Sequence, residues 1–159
     1  MAKLSARIQR ALDSDCAEDL SEIVDAKRKA DFDALRRLIS SDTEVDPAYR
    51  TRAIYALGRW GDDAVVDDIV QVLPELDETG LVTAMDSLGR LGTPKALEGV
   101  LEHAEDTSPN VRKFAIHALG RFNTQTARAK LRDINEKDPD QQLRELARKY
   151  IDQGQLKKD

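Results

Sequence analysis

Ala56-Leu57-Gly58-Arg59, Ser87-Leu88-Gly89-Arg90 and Ala118-Leu119-Gly120-Arg121 are three copies of one phrase, and their glycines stand 31 residues apart. A fixed step of this size marks helical hairpins stacked in a row, each burying its apolar face against its neighbours. The flanking residues keep the same register. Ala53, Ala56 and Leu57 share one helical face, as do Ala84, Ser87 and Leu88, and Ala115, Ala118 and Leu119. Small residues recur there because neighbouring helices must approach closely. The spacing predicts Gly58, Gly89 and Gly120 at helix ends, in the left-handed conformation that glycine adopts without a Cβ penalty. Gly61, Gly92 and Asn123 follow at a second position that tolerates positive φ. Asp62, Thr93 and Thr124 come next as N-caps of a second helix, with Pro94 in its first turn.

Outward from the phrase, second helices are expected at about 63–76, 94–105 and 125–136. An earlier copy at 32–41 aligns at the same step, with Ala34, Leu38 and Ile39 matching Val65, Ile69 and Val70. Its first helix, at 18–29, turns Leu20, Ile23 and Val24 inward but lacks the glycine phrase, so this repeat is degenerate. Asp46-Pro47 and Ser108-Pro109 open first helices, and Asp138-Pro139 opens a final helix at 141–152 carrying Leu143, Leu146, Ala147, Tyr150 and Ile151. The chain thus divides, as one domain, into an N-terminal cap helix (1–14), the degenerate repeat (15–45), repeats at 46–76, 77–107 and 108–137, and a C-terminal cap helix (138–153).

Composition agrees. A compact chain of 159 residues buries roughly 68–70% of its unfolded surface. With 40% hydrophobic but only 4% aromatic residues, the core is expected to be Ala, Leu, Ile and Val on helices, not a β-sheet. A net charge of −5 disfavours nucleic acid and anionic membrane as partners. Cys16 is the only cysteine, which excludes an intramolecular disulfide and a thiolate metal cluster. No apolar run approaches the roughly 18 residues of a membrane span. Residues 1–12 place Lys3, Arg7 and Arg10 among Leu4, Ile8 and Leu12 at helical spacing, which reads as a cap helix and not a secretory signal. A cytoplasmic location is expected.

The repeats resemble the HEAT-like repeats of the phycobilisome-lyase type. Asp106, Val111, Arg112, Ala115, Ala118, Leu119 and Gly120 follow that pattern, and Asp62, Ala64 and Val65 supply its turn and second helix. The likeness runs from about 46 to 135 and departs at Gly80-Leu81, where an arginine is missing, and at Asn123, which replaces glycine. It implies an all-α fold, a right-handed α-α superhelix of about four helical hairpins with terminal cap helices. It also implies that Arg50, Arg112 and Arg144 bond an acidic residue or carbonyl of the adjoining repeat, with Asp46, Asp106 and Asp138 as expected partners. Such repeats serve very different functions, so the likeness specifies architecture and not activity.

The second helices of such a stack normally line its concave face. Stepping by 31, their outward positions read Arg36 and Arg37, Asp67 and Asp68, Glu98 and Gly99, then Ala129 and Lys130, with Glu102 adding a further charge. That acidic middle between basic ends is the expected binding surface for another protein. Arg59, Arg90 and Arg121 line one edge, either as a basic ridge or as cations offsetting helix dipoles, worth about 0.3–1 kcal/mol each. Trp60, Leu91 and Phe122 repeat an apolar turn position that reads as packing, while Tyr49, Tyr55 and Trp60 are a candidate aromatic patch.

Catalytic patterns are missing. His103 and His117 are each followed by alanine, unlike the His-Glu pairs of metal-binding HEAT-like hydroxylases. There is no P-loop or Ser-His-Asp order, and Asp62-Asp63 and Asp67-Asp68 lack a loop of oxygen ligands. The expectation is a non-enzymatic scaffold, adaptor or assembly factor without cofactor or metal, a monomer or weak homodimer. The resemblance offers a chromophore-lyase-like subunit or chaperone for a phycobiliprotein-type partner as the alternative. Nucleic-acid binding through the arginine ridge is a second alternative, opposed by the acidic balance.

Overall fold

A computed structural model describes residues 4–14, 17–40 and 45–156. Lys3, Cys16 and Ser41 lie outside the described residues. Among those described there are ten α-helices and no strand: α1 (Ala6–Asp13), α2 (Ala17–Asp25), α3 (Lys29–Ile39), α4 (Pro47–Trp60), α5 (Val66–Val72), α6 (Glu78–Leu91), α7 (Pro94–His103), α8 (Pro109–Leu119), α9 (Gln125–Lys137) and α10 (Gln141–Leu156). They form two layers. First helices α2, α4, α6 and α8 lie side by side, and second helices α3, α5, α7 and α9 stack behind them. α1 packs on α2 and α4, and α10 on α9 and α8. Single 3-10 turns flank α5, and Pro74, which has no N–H to continue the helix, sits in the turn that ends it.

The caps fall where the sequence puts them. Asp62, Thr93 and Thr124 accept hydrogen bonds from the N–H groups of Ala64, Ala96 and Ala127. Asp46 and Ser108 cap α4 and α8, each followed by proline. Asp77, not anticipated, caps α6 through the N–H of Gly80 at 2.8 Å. Losing such a cap costs about 1 kcal/mol.

The glycines of the phrase act differently from expectation. α4 continues past Gly58 to Trp60, and α6 past Gly89 to Leu91. The left-handed caps are Gly61 (φ 76°) and Gly92 (φ 69°) instead. Gly58 and Gly89 are buried within the last turn of their helices, where glycine costs up to about 1 kcal/mol relative to alanine. Close approach explains them. A Cβ on Gly58 would lie 2.5 Å from the Cβ of Ser87, and one on Gly89 only 2.8 Å from the Cα of Ala118. Gly120, with an ordinary helical φ of −62°, plays the same part at the end of the stack. A Cβ there would meet Cγ of Tyr150 from α10 at 2.7 Å. Gly58 and Gly89 therefore each admit a residue of the next first helix, and Gly120 admits the ring of Tyr150 from α10.

Asn123 does not take positive φ; among the described residues Lys27 (φ 47°) is the one non-glycine that does. Lys27 turns the chain between α2 and α3, where the glycine phrase is missing. Its Nζ bonds the carbonyl of Trp60 and lies 5.0 Å from the indole centroid.

The core repeats at the same step. Ile54, Met85 and Ile116 are fully buried, as are Leu57, Leu88 and Leu119. Ile69, Val100 and Leu131 fill the equivalent site between the layers. Ser87, the polar member of the small-residue row, is satisfied by donating to the carbonyl of Ile54 at 3.2 Å.

Buffered urea unfolding checks the glycine contacts. Gly89→Ala should lower stability by about 1–3 kcal/mol, because Ala118 meets the new methyl with its backbone. Gly154→Ala, with nothing within 4 Å, should be neutral or stabilising by up to about 1 kcal/mol.

Candidate functional site

The second-helix layer carries the residues expected to bind a partner. Arg36, Arg37, Asp67, Glu98 and Glu102 are exposed, and Asp68 and Lys130 half-buried. The basic ends are engaged within the molecule. Arg36 forms an ion pair with Asp68 of the next repeat. Lys130 reaches Glu105 and lies 3.6 Å from Asp133. Glu98 meets Lys95 of its own helix at 3.4 Å. Asp67 and Glu102 have no hydrogen-bond or ion-pair partner among the described residues. An acidic strip of Asp67, Glu98 and Glu102 is left facing solvent across α5 and α7.

On the other layer, the side chain one turn earlier decides what each ridge arginine does. Arg59 lies over Tyr55, 5.7 Å from the ring centroid. Arg90 donates to Asp86 at 2.9 Å. Arg121 finds His117 at that position and reaches back a whole repeat, to the carboxylate of Asp86 at 2.7 Å and its carbonyl at 3.1 Å. Asp86 thus holds two of the three arginines. Burial pushes its carboxyl up, but the hydrogen bonds from Arg90 and Arg121 together prevail and hold it below 3.8.

His117 bonds the Tyr150 hydroxyl through Nδ1 at 2.7 Å, with the rings edge to face. Burial, then the charges of Lys113 and Arg121, hold the imidazole below its usual 6.5. The unfolded chain therefore takes up this proton first as pH falls. The stability due to neutral His117 is complete above 6.5 and declines below it.

Arg112 and Asp138 are each only 8% exposed and meet fork to fork, at 3.0 and 3.2 Å. The third guanidinium nitrogen donates to the carbonyls of Asp106 and Thr107. Arg144 donates to the carbonyl of Asp138 at 2.6 Å. Arg50 differs from expectation and pairs with Glu75 at 2.9 Å, because the carboxylate of Asp46 caps α4. The carboxylate of Asp106 is likewise diverted, to His103 and the N–H of Ser108. Arg112 thus joins its repeat to the units on either side, as the repeat pattern implies, while Arg144 bonds within the final helix unit and Arg50 meets Glu75 of its own repeat.

The aromatic patch is divided. Trp60 packs on Phe32 at 5.4 Å, whereas Tyr49 bonds Asp13 and Gln9 of α1. Two contacts that the sequence reading missed also hold α1: Arg7 pairs with buried Asp31 at 3.0 Å, and Arg52 donates to the carbonyls of Leu12 and Ser14. No group of three potential metal ligands occurs among the described residues, and no described helix is long and apolar enough to cross a membrane. Two clefts among the described residues bear on these side chains. One of about 390 Å³, beside Arg112 and Lys130, is lined by charges that pair with one another. The other, of about 540 Å³, lies between the 119–123 turn, α9 and α10.

Two outcomes test this geometry. Arg112→Met should cost about 3–5 kcal/mol, since it strands a buried carboxylate, and Arg112→Met with Asp138→Leu should cost less than the single change. In NMR titration His117 should protonate below 6.5, and His117→Gln should flatten the fall in melting temperature between about pH 7.5 and 5.5.

The pattern of the HEAT repeats matches residues 66–151, just over half of the chain. No curated protein matches in sequence. Among solved structures, the chain is similar to one in the complex of CpcE and CpcF of phycocyanin lyase from Nostoc sp. PCC7120, with a TM-score of 0.76 at 17% identity over 91% of this chain and 98% of that one. The repeated phrase, the matched pattern and the shared all-helical solenoid together place this chain in the HEAT-repeat family.

Proposed function

We propose that this chain is a non-enzymatic protein-binding module, an adaptor or assembly factor that receives its partner on the second-helix face. The observation that carries the reading is the strip of Asp67, Glu98 and Glu102, exposed on successive repeats with no cation of another repeat against it. A rigid stack holds these carboxylates in register, which suits a partner with a basic surface. The similar lyase chain is found in a complex of two proteins, which supports a protein partner here. The reading places this work in the cytoplasm.

A second reading rests on the same likeness: a chromophore-lyase-like subunit, or a chaperone, for a phycobiliprotein-type partner. New visible absorbance on mixing with a bilin and its acceptor protein would favour it. Nucleic-acid binding through Arg59, Arg90 and Arg121 is weakened by Asp86, which already holds two of them.

Capture from lysate at low and moderate salt, followed by titration of the recovered protein, tests the proposal. One stoichiometric partner should survive moderate salt. Asp67→Lys combined with Glu102→Lys should weaken its binding by about tenfold or more, with helicity unchanged. Asp68 is left intact because it anchors Arg36. Equal binding by the double variant would remove the second-helix face from consideration.

A further inference from the structure

We infer that the cleft between the 119–123 turn, α9 and α10 is a docking site for a short, extended acidic segment of a protein partner. This surface is separate from the acidic strip on α5 and α7. Arg121, Arg128 and Arg132 line it together with Phe122, Tyr150 and Ile151, and no carboxylate is among the described residues that line it. That is unusual in this molecule. The chain has 30 acidic residues against 25 basic ones, and Arg7, Arg36, Arg50, Arg90 and Arg112 each meet a carboxylate.

In the cleft two of the three arginines, Arg128 and Arg132, meet no carboxylate among the described residues. Arg128 bonds the side-chain oxygen of Asn123, which orients the guanidinium without neutralising it. Asn123 is the residue that departs from glycine in the repeat pattern, and this bond gives the departure a role. Arg132 is exposed and has no partner among the described residues. Arg121 commits only Nη1, to Asp86. Further cations stand near: Lys113, Arg121 and Lys149 all oppose protonation of neighbouring His117, against Asp86, which favours it.

Spacing selects the occupant. Arg128 and Arg132 are one turn apart on α9, about 6 Å along its axis. Alternate side chains of an extended segment repeat at about 6.6–6.8 Å, so acids at i and i+2 meet both guanidiniums. The intervening side chain then points to the opposite wall, where α10 presents Tyr150 and Ile151. The motif read from the cleft is therefore acidic–apolar–acidic. A lone phosphate satisfies one fork and leaves the apolar wall unused. A nucleic acid runs on beyond three arginines over a surface of net negative charge.

The test is fluorescence anisotropy with a labelled Gly-Glu-Leu-Glu-Leu-Glu-Gly peptide, its glutamine counterpart, inorganic phosphate as competitor, and a single-stranded oligonucleotide. The glutamate peptide should bind at least about tenfold tighter than the glutamine peptide and the oligonucleotide. Arg128→Glu with Arg132→Glu should reduce its affinity by about tenfold or more, and exposed Arg132→Gln alone by about threefold, whereas Arg148→Glu should change it by less than about twofold. Circular dichroism confirms that each variant is folded. Asp67→Lys with Glu102→Lys should leave peptide binding intact, which separates this site from the second-helix face. The inference is overturned if the wild-type chain does not bind the glutamate peptide, if the glutamine peptide binds as well, or if the Arg128/Arg132 variant is unaffected. Preferential binding of the oligonucleotide, or complete displacement by stoichiometric phosphate, overturns it too.

Discussion

Everything in this molecule depends on how closely the first helices approach. A glycine within a helix sacrifices up to about 1 kcal/mol of helix propensity, so Gly58 and Gly89, one step apart, require a compensating gain. The gain is contact. Gly58 admits Ser87, Gly89 admits Ala118 and Gly120 admits the ring of Tyr150. With no Cβ in the way, the backbones of α4, α6 and α8 come together and the larger residues, Leu57, Leu88 and Leu119 among them, interdigitate beside them with no exposure. The same contact also ends the stack. Tyr150 replaces the small residue that another repeat would bring, and its hydroxyl is satisfied by His117.

Once the backbones are set, charge placement follows from register. Three arginines in equivalent positions behave differently because the side chain one turn earlier is Tyr55, Asp86 or His117. The third has no anion one turn earlier, so it borrows the carboxylate of the previous repeat and ties the two repeats together. On the opposite layer, cations at the two ends are neutralised by Asp68, Glu105 and Asp133, leaving the acidic strip between them. The molecule thus offers two surfaces of opposite sign, an acidic strip across α5 and α7 and an arginine-lined cleft at its C-terminal end. On the proposed protein-binding reading, surfaces of both signs would orient a partner as well as hold it.

Much of this was legible in the sequence because a period is a global property. The 31-residue step, the N-caps at Asp62, Thr93 and Thr124, and the buried rows all follow from counting. The role of Gly58 and Gly89 was not legible. A glycine near a helix end and a glycine against a neighbouring helix look alike in one dimension, and Gly61 and Gly92 stood close by to cap. The ion pairs were partly hidden for a similar reason. Arg36 and Asp68 are one repeat and one residue apart, which the step reveals, but Asp46 and Asp106 were each claimed by local backbone N–H groups. The arginine cleft was invisible, since it is made by α10 folding back on α9 and the 119–123 turn.

The most direct test of the glycine contact is a double-mutant cycle on Gly120→Ala and Tyr150→Ala, read by urea denaturation. Here the obstructing atoms belong to a side chain, so removing the ring removes the clash without touching the backbone. Gly120→Ala should cost about 1–3 kcal/mol in the wild-type chain and nothing, or less than nothing, once Tyr150 is alanine. Additive costs in the two backgrounds would contradict the view that the repeated glycine is there to admit its neighbour.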